Sequence, residues 1–81
     1  MRLDKFLKVS RVIKRRTVAN EACDLGRVII NGKMAKASTA VKCGDIVEIK
    51  FGEKIIKFEI RRVNEVVKKE EASEMFKIIE E

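Results

Sequence analysis

The sequence predicts an α+β fold: two short helices, a small mainly antiparallel sheet packed against them, and an amphipathic helix at the C-terminus. Three observations predict it. Apolar residues recur at helical spacing as far as Gly26, they alternate with polar ones beyond it, and Gly26, Gly32, Gly44 and Gly52 each stand at a change of direction. With 81 residues the chain has room for one domain, expected to span 1–81, and too little for a cleft walled by two lobes.

Leu3, Phe6 and Leu7 lie on one face of the first helix, leaving Arg2, Lys5 and Lys8 on its flank. Thr17 is suited to cap the second helix, because its hydroxyl can accept from the free N–H groups of a first turn. Val18, Ala22 and Leu25 follow at i, i+4 and i+7, and Gly26 fits the left-handed stop. Past it, Arg27 to Ile30 reads as a strand that turns at Asn31-Gly32, the dipeptide best able to adopt the positive φ angles of a tight hairpin. Lys33 and Lys36 fall on the return strand. After a second turn at Lys42 to Asp45, Val47, Ile49 and Phe51 alternate with Glu48 and Lys50; after a third at Gly52 to Lys54, Ile56, Phe58 and Ile60 do the same with Lys57 and Glu59. Ala72, Met75, Phe76 and Ile79 have helical spacing over Lys68 to Glu81, a helix expected to dock on the chain's own sheet.

Composition narrows the function classes. A chain that is 46% hydrophobic is too apolar for wholesale disorder, and 40% charged residues leaves a charged surface. Histidine and tyrosine are absent, so neither Cys23 nor Cys43 has an imidazole to make it a thiolate. The adjacent pairs Glu70/Glu71 and Glu80/Glu81 diverge on a helix and cannot converge on one substrate. A zinc site needs about four nitrogen or sulfur ligands at characteristic spacing. No enzymatic activity, no metal and no cofactor is therefore expected, and the two thiols read as reduced. The run around Arg2 is charged and no apolar stretch approaches the ~20 residues of a membrane span, so a cytoplasmic, non-membrane protein is expected.

Charge is divided unevenly along the chain. Residues 1–50 hold twelve Lys/Arg against five Asp/Glu, and residues 51–81 seven against eight. The densest stretch, RVIKRRT at 11–17, carries Arg11, Lys14, Arg15 and Arg16 with no acid among them. Such a field attracts polyanions. Modules that read single strands stack bases on exposed rings, whereas Phe6, Phe51, Phe58 and Phe76 all fall on predicted apolar faces. Phosphate contact is the device that remains. The planar forks of Arg2, Arg11, Arg15 and Arg16 suit it best. Lys5, Lys8, Lys14, Lys33 and Lys36 extend the same surface if the hairpin lies beside the helices.

Residues 2 to about 51 resemble the alpha-L RNA-binding domain, named after protein four of the small ribosomal subunit. The resemblance rests on Arg2-Leu3-Asp4, on Arg15-Arg16-Thr17, on Gly26, Val28 and Asn31-Gly32 at the family's spacing, and on Gly44-Asp45. It implies an alpha-L core over 2–51, with 52–81 adding the final strand and the C-terminal helix. Over its whole length, including Lys68-Lys69-Glu70-Glu71-Ala72, the chain is similar to a small bacterial quality-control branch of that family. This likeness implies binding to obstructed large ribosomal subunits, contact with rRNA and peptidyl-tRNA, and support of alanine tailing beside RqcH; a monomer in solution is expected. Arg2 and Arg16 match the family's basic positions. Cys43 departs from its pattern, standing where proline often precedes the Gly-Asp turn. The alternatives are a heat-shock-type factor recycling blocked large subunits, and a module that holds an acidic protein partner.

Overall fold

The chain enters helix α1 (Leu3–Val9) from an extended Arg2, which forms a β-bridge with Ala40. No side chain caps α1. Its first N–H groups are met instead by a loop far along the sequence, Leu3 donating to the Thr39 carbonyl at 2.8 Å and Asp4 to the Ala37 carbonyl at 3.1 Å. In this computed structural model, which describes residues 1–80, α1 stops at Arg11, whose φ of 63° is the left-handed conformation usually left to glycine. The chain doubles back there, sending Ile13 into the core while Arg11, Lys14 and Arg15 stay exposed.

Helix α2 (Arg16–Asp24) begins one residue before the expected cap. Arg15 occupies the cap position without a side-chain hydrogen bond, so Thr17 lies inside the first turn. The buried face also differs from the expected stripe. Ala19, Ala22 and Cys23 join the core, whereas Val18 and Leu25 are 46% and 65% exposed. Small side chains let α2 approach closely, and Leu3, Phe6 and Leu7 supply the volume in the same apolar cluster.

The five strands are β1 (Val28–Ile30), β2 (Lys33–Met34), β3 (Ile46–Phe51), β4 (Lys54–Ile60) and β5 (Phe76–Ile78). They pair antiparallel throughout in the order β2-β1-β3-β4-β5. Asn31 and Gly32 take φ values of 51° and 81°, the pair of positive angles a two-residue hairpin requires. The next turn is tied to that hairpin. The buried Asp45 carboxylate accepts from the Asn31 side-chain amide at 3.1 Å and from the Lys42 N–H at 2.9 Å, which fixes the turn without a proline at Cys43. The resembling motifs Asn31-Gly32 and Gly44-Asp45 are thus one joint.

Register places Val47 opposite Phe58 and Ile49 opposite Ile56, and Val28, Ile30, Val47, Ile49, Phe58 and Ile60 form the sheet's contribution to the core. Phe51 is not part of it. Phe51 pairs with Lys54 at the β3–β4 turn, beyond the last residue of β3 in register with β1, and is 38% exposed.

The C-terminal helix is a short 3-10 segment, Lys69–Met75, burying Ala72 and Met75 as the spacing predicts. The expected helix does not continue. Phe76 to Ile78 become β5, pairing Phe76 with Ile60 and Ile78 with Phe58; Glu81, the end of the expected helix, lies outside the described residues. Without β5 the edge of β4 would present unpaired backbone groups, and Phe76-Lys77-Ile78 has the alternation of a strand as well as helical spacing. The Phe58 ring sits between those of Phe6 and Phe76, at centroid distances of 6.3 and 5.2 Å.

Candidate nucleic-acid interface

Because the loop around Ala37 to Ala40 pins the start of α1, Arg2 and Asp4 are held beside the first turn of α2. Asp4 is the only carboxylate among seven cationic residues over 2–16. Its side chain is 2% exposed and its two oxygens collect donors from four residues. Arg2 donates through Nε at 3.2 Å and Nη2 at 3.3 Å. Arg16 approaches with Nη2 at 3.4 Å from Oδ1 and Nε at 3.4 Å from Oδ2. Asn20 donates to Oδ2 at 3.4 Å and the Lys5 backbone N–H to Oδ1 at 2.8 Å. Burial on its own would push the Asp4 carboxyl up. The hydrogen bond from Arg16, that from the Lys5 N–H, the Arg16 charge and Arg2 outweigh it and hold the group below its ordinary value.

Each guanidinium spends one edge on Asp4. A guanidinium carries about five N–H donors in a rigid fork, so roughly three remain on each of Arg2 and Arg16. Those two side chains are 51% and 48% exposed. The result is a pair of cations anchored from beneath, with free edges turned outward. A shallow groove of about 460 Å³ runs over them, bounded by Met1, Lys5, Ser38, Ala40 and the acidic Glu65.

The remaining sequence candidates divide into groups. Lys5 borders the same groove but is ion-paired with Glu65, whose carboxyl this lysine holds below its ordinary value. Lys8, Arg11 and Lys14 line a second groove of about 700 Å³ with Lys69, Glu65, Val9, Val66 and Val67. Lys36 meets Arg2 in a third concavity, which also contains Asn20 and Met34. Lys36 follows the return strand instead of lying on it, its N–H bonded to Thr39 Oγ1 at 2.9 Å. Arg15 and Lys33 are exposed and border none of these three grooves. Among the described residues, no carboxylate pairs with Lys8, Arg11, Lys14, Arg15, Lys33 or Lys36.

Sequence reasoning missed Asp4 and Asn20 as members of this surface. The signal for Asp4 was its isolation in a cationic run; Asn20 gave none, because only the crossing of α2 over α1 brings it near. Cys23 is buried, and that burial, with the charges of Asp4 and Asp24, raises its thiol to about 11, so it stays protonated. Cys43 is exposed, and no cluster of three or more His, Cys, Asp or Glu able to hold a metal occurs among the described residues. No helix there is long and apolar enough to cross a membrane.

Comparison with known proteins supplies the family. Residues 1–47 match the S4 domain. Over 81 residues, all of this chain and 92% of the relative, it is 57% identical to the RQC P-site tRNA stabilizing factor of Halalkalibacterium halodurans. To the factor of the same name from Bacillus subtilis it is 53% identical, again over the whole chain and 94% of the relative. Among solved structures, the trimeric Heat Shock Protein 15 of Vibrio cholerae superposes with a TM-score of 0.88 at 28% identity, covering 98% of this chain and 81% of that one. An S4 match over more than half of the sequence, joined to full-length identity above one half, means that the chain belongs to the RQC P-site tRNA stabilizing factors, a family of S4-domain proteins.

Proposed function

We propose that this chain is a non-catalytic RNA-binding factor of ribosome-associated quality control. It associates with obstructed large ribosomal subunits in the cytoplasm, contacts rRNA, and steadies peptidyl-tRNA in the P site while RqcH extends the stalled chain with alanine. The observation that carries this reading is the anchored pair Arg2 and Arg16, a two-pronged cationic feature at the start of the region matching the S4 domain. Phosphates are its natural ligands, since each fork can take two oxygens and nothing in the site offers proton transfer. Lys8, Arg11, Lys14 and Lys36 extend the contact to neighbouring phosphates, and Arg15 and Lys33 add charge at its margins. Lys5 joins only if Glu65 gives it up. The protein acts as a monomer and needs no cofactor.

The likeness to Heat Shock Protein 15 favours a second reading, a factor that recycles blocked large subunits. Full-length identity above one half to the tRNA-stabilizing factors weighs against it. Co-sedimentation with large subunits, with and without peptidyl-tRNA, tests both together with an alanine-tailing assay. Wild-type protein is expected to prefer tRNA-bearing subunits and to be needed for tailing, and Arg2→Ala/Arg16→Ala to lose about tenfold or more in association. Normal tailing without the protein, with blocked subunits accumulating, would favour recycling. Association indifferent to both arginines would remove them from the site, and capture of an acidic protein with no RNA binding would favour an interaction module.

A further inference from the structure

We propose that Asp4 is a positioning residue of the RNA-binding face: its buried carboxylate sets Arg2 and Arg16 at a fixed spacing before RNA arrives. This rests on the reading that the two arginines contact RNA. Bare electrostatics would keep a carboxylate away from a polyanion site, since it cancels part of the attracting charge. Asp4 is nevertheless placed beneath the two arginines and reached by both. Only its 2.8 Å bond from the Lys5 N–H belongs to the architecture of α1. The arginine contacts are made by side chains that are half exposed. Long side chains lose much rotamer freedom on binding, and ordering them beforehand removes that cost from the encounter. One carboxylate shared by two forks also correlates them, so the free edges meet neighbouring phosphates together. Asn20, donating to Oδ2, fixes the carboxylate in turn.

Asp4→Asn tests this by the sign of its effect. The variant keeps the shape and an oxygen for the Lys5 N–H, and raises the net charge by one. If charge alone mattered, RNA would bind more tightly. The positioning role predicts the opposite, about tenfold weaker binding to tRNA-bearing large subunits, a coupling ordinary for residues in one ion-pair network. It also predicts no further loss when Asp4→Asn is added to Arg2→Ala/Arg16→Ala, whereas a general structural role would add to it. Side-chain NMR relaxation of the free wild-type protein gives a second readout that survives any folding defect in the variant: the Nε–H groups of Arg2 and Arg16 should be ordered and those of Arg11 and Arg15 mobile. Unchanged or tighter binding by Asp4→Asn while the arginine variants weaken it, or equal mobility of all four arginines, would overturn the inference and leave the RNA face standing. Arginine variants that bind like wild type would remove the site itself.

Discussion

At the scale of single residues, the chemistry of two buried groups sets measurable behaviour. The folded Asp4 carboxyl lies below its ordinary value of 3.8, so the stability it contributes is present above that value and lost as pH falls through the folded one. Wild-type protein should therefore lose stability more steeply than Asp4→Asn between about pH 5 and 2, and the two curves should converge at the acid end. Parallel curves from pH-dependent urea unfolding would show that Asp4 gains nothing from the arginines. The thiols separate just as clearly. With Cys23 raised to about 11 and buried, a thiol reagent at pH 8 should label only Cys43 in the native protein, and Cys23 at the rate of unfolding. Rapid labelling of both would contradict the described core. What the sequence revealed at this scale was which residues carry the charge. It did not reveal which cations are anchored, because the Arg2–Asp4–Arg16 arrangement depends on where the loop around Ala37 to Ala40, distant in sequence, pins α1.

At the scale of elements, helices, hairpin and register were legible where one period dominated. The Asn31-Gly32 turn and the alternation through Val47, Ile49, Phe58 and Ile60 had no competing interpretation. The face of α2 was misread because hydrophobicity ranks Val18 and Leu25 above Ala19 and Cys23, whereas close packing against α1 selects the smaller pair. Phe76 to Ile78 satisfied two periods at once, and the open edge of β4 decided for the strand. These distinctions have consequences. Thr17→Ala should change stability by less than about 0.5 kcal/mol, whereas loss of a capping hydroxyl would cost about 1 kcal/mol. Phe58→Ala removes a fully buried ring lying between two others and should cost about 3 to 5 kcal/mol in denaturant unfolding. A cost near 1 kcal/mol would mean that the sheet and the C-terminal segment do not share that core.

Across the whole molecule, the cations of the first half of the sequence gather around neighbouring grooves, into two of which Glu65 of the second half also reaches. The helices and the Lys36 loop supply cations to adjoining grooves, while the acidic residues of the C-terminal segment include Glu65 and Glu74, which pair with Lys5 and Arg62. The molecule, 29 × 29 × 20 Å, is small enough that one face sees only a few phosphates at a time. Each phosphate that it neutralises releases counterions, so its affinity should fall with salt in proportion to their number. Titration of binding to structured tRNA against ionic strength tests the central claim most directly. If about four to six phosphates are neutralised, log Kd should change with log salt at a slope of magnitude roughly 3 to 5, and Arg2→Ala/Arg16→Ala should reduce that magnitude by about 2. A slope near zero, or one that the double variant leaves unchanged, would contradict an interface built on the arginines that Asp4 holds.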